Sequence, residues 1–351
     1  MINILIKKQV LLIVFSFFIL FLLIYSFCII MLNINVSHPA THGLHIVGNH
    51  FIDENRNIII LRGVNRWSLE FSCGDGHFTP NDFRAIRSWG ANAVRIPLNE
   101  NRFLFHYDCS NYVDIVKQAV KNAENAGLYV ILDLQWVEPY NNNQPGMIYP
   151  MPDSKARDFW KELASTYAND DLVLFEVYNE PHDVSWKIWR NGGQVSNYQA
   201  VGMQELTTLI NSIAPNRVVI IGGLGWSYDL SRIQQGYAIS GRNIAFTTHL
   251  YNNANEQPTD WQRAFGVIAK TAPVIATEFG QSDFGFTYNG QVMNYFEHLK
   301  TGYLAWAWVA NNDNNPTLLK SWNGTPSDYA KPIHDLMLVA ANADAVLRML
   351  H

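Results

Sequence analysis

Two glutamates stand where apolar runs of this chain break off. Glu180 closes Val173-Leu174-Phe175-Glu176-Val177-Tyr178-Asn179-Glu180-Pro181, and Glu278 sits near the end of a second run, Pro273–Phe279. An apolar run rich in β-branched and aromatic residues reads as a strand buried on both faces. Pro181 cannot continue a central strand, so Asn179 and Glu180 fall where strand gives way to loop. Taken singly, a strand-end Glu is more often a loop anchor than a reactive group. Two of them facing each other are the minimum for glycosidic bond cleavage: one carboxyl protonated to help the leaving oxygen depart, the other ionised to attack carbon or to activate water. A guanidinium (Arg95) and a phenol (Tyr251) beside Glu278 would favour its carboxylate form, while aromatic packing and a facing carboxylate would push Glu180 toward the acid.

For those side chains to meet, the chain has to bring distant strand ends to one place. Eight short apolar runs recur: Ile58–Val64, Ala93–Leu98, Tyr129–Leu134, Leu172–Tyr178, Val218–Gly222, Ala245–Leu250, Pro273–Phe279 and Tyr303–Val309. Between them lie segments of helical period at Asp82–Trp89, Tyr112–Ala126, Ser154–Tyr167, Tyr198–Ile213, Trp261–Lys270 and Gln291–Lys300. Alternating strands and helices imply parallel βαβ units, and eight of them in this length favour an α/β fold of the (β/α)8 or TIM-barrel type. In such barrels reactive residues collect at the C-terminal strand ends. Those ends carry Arg95 on the second run, Asp133, Gln135 and Trp136 on the third, and Asn179 and Glu180 on the fourth. His249 and Tyr251 follow on the sixth, Glu278 on the seventh, and Trp306 and Trp308 on the eighth. Thr41–Asn57 alternates around Gly48-Asn49 and predicts a short N-terminal β-hairpin placed to plug the lower mouth of the barrel.

At these residues the chain resembles glycoside hydrolase family 5, the cellulase family, from Leu44 to about Leu336. The matching stretches are Leu61-Arg62-Gly63-Val64-Asn65, Asn92-Ala93-Val94-Arg95-Ile96-Pro97, Tyr178-Asn179-Glu180-Pro181, His249-Leu250-Tyr251, Thr277-Glu278-Phe279-Gly280 and Trp306-Ala307-Trp308. Asn-Glu-Pro alone is modest support; with His-x-Tyr and Glu-Phe-Gly in register it is strong. The resemblance implies a retaining double displacement with Glu180 as general acid/base and Glu278 as nucleophile. It further implies that Arg95 supports the nucleophile, Asn179 contacts a sugar hydroxyl, Tyr251 bonds the nucleophile, His249 flanks the acid/base, and Trp308 forms the platform under the sugar. One position departs: the family's usual Asp-Leu-His reads Asp133-Leu134-Gln135, and Gln can hydrogen-bond a sugar but carries no charge. Trp136 and Trp226, directly after the third and fifth runs, are the best candidates for further sugar subsites.

The composition agrees with a large core and excludes some alternatives. The chain has 351 residues, 48% hydrophobic and 16% charged, with net charge −5. No basic stripe exists to neutralise phosphates, so nucleic acid is excluded as a partner. Gly222-Gly223-Leu224-Gly225 runs into Trp226 and lacks the rest of a nucleotide fingerprint, and no metal-ligand spacing is present, so neither cofactor nor metal is expected. Lys7 and Lys8 precede Val10–Leu32, 23 residues without a charge. That stretch is long enough to span a bilayer, with the basic flank inside. Residues 1–37 are thus expected to be a signal or membrane-anchor segment, an uncleaved anchor being favoured over a cleaved signal. Residues 38–351 form the barrel domain, secreted or tethered outside the cytoplasm and monomeric. For an exported chain, a disulfide between Cys73 and Cys109 is favoured over two free thiols. The expected function is an endo-β-1,4-glucanase acting on a β-linked polysaccharide or oligosaccharide. The alternatives are a β-mannanase or related glycanase and, in another class, a catalytically silent carbohydrate-binding barrel.

Overall fold

Strands that are apolar on both faces must have both covered, and closing on one another inside a jacket of helices is one way to do so. The computed structural model describes residues 42–138, 149–281, 286–310 and 316–349 and takes this form. In chain order the strands are β1 (His45–Val47), β2 (His50–Ile52), β3 (Leu61–Asn65), β4 (Ala93–Asn99), β5 (Tyr129–Trp136), β6 (Val173–Glu176), β7 (Gly193–Val195), β8 (Tyr198–Ala200), β9 (Val219–Gly222), β10 (Ile244–Tyr251), β11 (Val274–Gly280), β12 (Gly302–Ala305), and a short pair, β13 (Leu319–Ser321) and β14 (Thr325–Pro326). Eight of them close in the order β3-β4-β5-β6-β9-β10-β11-β12, every pair parallel. These are the eight expected runs. Close approach inside the ring needs Gly63 on β3, where an added Cβ would lie 2.0 Å from the Ala93 carbonyl oxygen on β4.

The helices are α1 (Pro80–Ser88), α2 (Glu100–Phe105), α3 (Tyr112–Asn125), α4 (Ala156–Thr166), α5 (Trp186–Asn191), α6 (Met203–Ile213), α7 (Pro258–Trp261), α8 (Thr287–Leu299) and α9 (Lys331–Met349). The first begins where its sequence dictates: Thr79 accepts from the Asp82 N–H and Pro80 takes the first turn. Two expected helices differ. Tyr198–Ala200 pairs with Gly193–Val195 as a hairpin, so α6 begins only at Met203. The segment Trp261–Lys270 breaks into α7, a π turn at Gln262–Gly266 and a 3-10 turn at Ile268–Lys270.

Side-chain alternation divides the core into two. Val64, Val94, Ile96, Val130, Leu132, Phe175 and Ala276 point outward and pack under the helices. Leu61, Ala93, Tyr129, Ile131, Leu174, Ile220, Ala245, Ile275 and Leu304 fill the lower barrel, joined by Leu44 and Phe51 from the N-terminal hairpin. The hairpin therefore plugs the barrel bottom, as its sequence predicts. Residues 1–37 lie outside the described residues. Among the described residues no helix is long and apolar enough to cross a membrane.

Candidate active site

Above the apolar floor the same inward alternation switches to polar residues. Ala93 is followed by Arg95, Ile131 by Asp133 and Gln135, Leu174 by Glu176, and Ala245 by Thr247, His249 and Tyr251. On β11 the register slips on both sides, between Thr247/His249 against β10 and between Ala276/Phe279 against β12. The extra residue is a bulge, which re-aims side chains at active-site rims. Thr277 and Glu278 both reach polar groups of the barrel interior as a result.

Arg95 is the hub. Its guanidinium is fully buried and donates to Asn65 Oδ1 (2.9 Å), Glu278 Oε1 (2.7 Å), Asn179 Oδ1 (2.8 Å) and both oxygens of Glu176 (2.9 and 3.1 Å), with Asp133 Oδ2 3.0 Å away. Arg95 thus pairs with the reactive carboxylate, as expected, and also with Asp133. The Tyr251 hydroxyl donates to Glu278 Oε2 (2.8 Å), and the Gln135 amide reaches Oε1 at 3.5 Å. His249 Nδ1 lies 2.8 Å from Glu180 Oε1 and 3.7 Å from Glu278 Oε2, while its Nε2 contacts the Thr277 hydroxyl at 3.1 Å. One oxygen of Glu180 and one of Glu278 approach within 4.8 Å of each other.

The environments push these groups apart in acidity. Burial raises Glu180 above the ordinary carboxyl range and the facing Glu278 adds to it, outweighing the hydrogen bond from His249. Burial opposes a charge on His249, but the field of Glu278 and its contacts with Glu176 and Glu180 raise it to about 10. Glu176 is also buried, yet Arg95 and His249 hold it below the ordinary range. Burial pushes Asp133 well up despite Arg95. Glu180, His249 and Glu278 offer three donor atoms in a cation-sized space.

The aromatic expectations divide. Trp308 is fully buried outside the barrel, edge-on to Trp89, with its indole N–H on Asp82 Oδ1 of α1 (2.8 Å). It has no face free for a sugar, and the expected platform role is corrected. β12 ends at Ala305, so alternation does not extend to position 308; counted from inward Leu304, it is Trp306, half-exposed, that continues the inward row. Trp226 is 53% exposed and lies flat on His182 (centroids 3.6 Å, planes 10° apart). Its N–H bonds the Pro181 carbonyl, and the Ser227 hydroxyl bonds the Asn179 carbonyl, so this turn is fastened to the Asn-Glu-Pro segment. Trp226 and Ser227 both adopt left-handed φ (60° and 63°), a backbone cost accepted at a position that presents a ring. Trp136 is half-exposed against Phe71, which packs on Trp67 (6.0 and 4.5 Å). Cys73 and Cys109 are joined in a disulfide with Cα atoms 5.4 Å apart.

Fold and site together define a (β/α)8 barrel with two facing carboxyl groups at its C-terminal mouth, Glu278 buried and braced by Arg95, Glu180 partly exposed and bonded to His249. Residues 52–312 match the family model described as Cellulase (glycosyl hydrolase family 5). The chain is 24% identical over 292 residues to an endoglucanase of Clostridium saccharobutylicum (82% of this chain, 61% of that protein). It is 26% identical over 261 residues to endoglucanase E-5 of Thermobifida fusca (72% and 51%). A mannan endo-1,4-beta-mannosidase of Cellvibrio japonicus is 24% identical over 285 residues (78% and 61%). The chain thus spans between about half and three fifths of the length of these relatives. Among solved structures, a beta-glucanase from Saccharophagus degradans, also solved with cellotetraose, superposes with TM-score 0.69 at 24% identity, covering 86% of this chain and 95% of that one. The chain belongs to glycosyl hydrolase family 5.

Proposed function

We propose that this chain is a retaining endo-β-1,4-glucanase, exported from the cytoplasm, that cleaves internal bonds of cellulose-like glucans. The observation that carries the retaining part is the approach of Glu180 and Glu278 within 4.8 Å. Retaining pairs lie about 5–5.5 Å apart, whereas inverting pairs need about 6.5–9.5 Å to admit a water. Glu278, held from both sides by Arg95 and Tyr251, attacks the anomeric carbon. Glu180, whose acidity is weakened by burial, gives its proton to the departing glycosidic oxygen. The charge then left on Glu180 is met by the His249 imidazolium 2.8 Å away. In the second half Glu180 takes a proton from water, which attacks the glycosyl-enzyme and frees Glu278.

Trp306 is proposed as the ring under the sugar bound at Glu278. Trp226, fastened beside Glu180, is proposed as a platform on the leaving-group side, and Trp136 with Phe71 and Trp67 as a wall for further residues of the chain. The disulfide supports an oxidising compartment. A second reading, β-mannan as substrate, is favoured by the similarity to the C. japonicus mannosidase. The test is reducing-end release from carboxymethylcellulose, barley β-glucan, glucomannan, galactomannan and xylan. Preference for the unsubstituted glucans supports the first reading and preference for the mannans the second. Binding without release, in a folded preparation, would instead mark a carbohydrate-binding barrel.

A further inference from the structure

Glu70 is a buried acid near the reacting pair that neither the sequence motifs nor the mechanism above accounts for. It is 1% exposed, in the loop after β3. Its Oε2 accepts the Ser68 N–H at 2.9 Å, from a residue held at φ 113°, in the left-handed region. Its main chain is fastened as firmly. Asn99 Nδ2 donates to the Glu70 carbonyl (2.8 Å), Arg102 reaches the same oxygen at 3.4 Å, and the Tyr112 hydroxyl holds the Leu69 carbonyl (2.7 Å). A loop built this closely nevertheless leaves Glu70 Oε1 enclosed and unpartnered.

A second enclosed oxygen without a partner is Oε1 of Gln135, whose Nε2 faces Glu278 at 3.5 Å. Two links bring the segments together. Phe71 packs on Trp136 with centroids 6.0 Å apart, and Asn99, which bonds the Glu70 carbonyl, is the register partner of Trp136. Buried polar atoms are rarely left unpaired. Two enclosed acceptors in adjoining segments can satisfy each other when one of them carries a proton.

We propose that Glu70 is a positioning residue, donating from Oε1 to the amide oxygen of Gln135 and so holding the Gln135 N–H toward the Glu278 carboxylate. The proposal rests on the glycosidase reading for its consequence on rate. The charged groups around Glu70 are Glu278 on β11, Arg95 on β4, the Arg102–Asp108 pair on and after α2, and Glu138 after β5 on the far side of Asn99. Burial pushes Glu70 up to about 8; the backbone N–H groups of Glu70 and Ser68 oppose this, Glu278 adds to it and Arg95 opposes it. At neutral pH the acid therefore has a proton to donate. A neutral Glu70 also places no further negative charge beside the nucleophile.

The test compares the full chain with Glu70→Gln, Glu70→Ala and Gln135→Ala. With the best glycan substrate, Glu70→Ala should lose about tenfold in kcat with KM little changed, the worth of one oriented hydrogen bond. Glu70→Gln, whose amide can still donate to Gln135, should stay within about threefold of the parent. In a 13C-NMR titration of carboxyl-labelled glutamates, the resonance missing from Glu70→Gln should titrate near pH 8 in the parent and shift in Gln135→Ala. Titration of that resonance near the ordinary value of about 4, or an unchanged kcat in Glu70→Ala, overturns the proposal. If the parent cleaves no glycan, the glycosidase reading fails, and the NMR titration still decides the Glu70–Gln135 contact.

Discussion

Replacing His249 by Gln should remove a pH-dependent part of this protein's stability. His249 is 1% exposed, so little of its interaction is screened by solvent. Its rise from 6.5 to about 10 corresponds, at about 1.36 kcal/mol per unit, to roughly 5 kcal/mol as an upper order of magnitude. The folded pKa lies above the unfolded one, so this stabilisation is complete below about pH 6.5 and disappears as pH rises toward 10. Urea unfolding followed by tryptophan fluorescence at several values between pH 6 and 10 would measure it. The parent should exceed His249→Gln in stability by several kcal/mol at pH 6, and the gap should narrow, by at most about 5 kcal/mol, as pH approaches 10. A gap that stays constant over this range would refute the reasoning, because it would mean that His249 contributes packing and neutral hydrogen bonds but no buried charge.

Glu180→Gln and Glu278→Gln should each lower glycan cleavage by about 10²-fold or more with little change in melting temperature, as measured by reducing-end release and calorimetry. The two tryptophans should separate cleanly. Trp308→Ala should cost about 3–5 kcal/mol of stability through the cavity it leaves, whereas Trp226→Ala should leave the melting temperature nearly unchanged and weaken oligosaccharide binding in calorimetric titration. The disulfide closes a separation of 36 residues. Cys73→Ser with Cys109→Ser should therefore cost about 4 kcal/mol in chemical unfolding.

The barrel was legible because a strand buried on both faces leaves a clear trace: a short, mostly apolar run, repeated eight times with helical segments between. Strand-end chemistry was legible for the same reason, since Pro181 marks where a strand must stop and so locates Asn179 and Glu180. Legibility ended where the backbone leaves its regular period. Trp308 was misplaced because the role was carried over from the Trp306-Ala307-Trp308 stretch of the resemblance, which does not say which of the two rings faces the barrel once β12 ends at Ala305. The bulge on β11 has no signature in Thr277-Glu278, yet it lets both neighbours face inward. Glu176 was read as part of a strand and not as the buried counter-ion of Arg95, because a charge inside an apolar run shows its partner only when the strands are assembled. Glu70 lies in a loop fixed by long-range bonds from Asn99 and Tyr112, which no local pattern encodes.

The most direct test of the paired-carboxylate account is the configuration of the first product. Oligosaccharide cleavage by the parent protein would be followed by proton NMR in the first minutes, before mutarotation mixes the anomers. The account predicts that the new reducing end appears as the β anomer, retained from the β-glycosidic bond. Initial appearance of the α anomer would mean inversion, and would contradict the assignment of Glu278 as a nucleophile and of Glu180 as its acid/base partner.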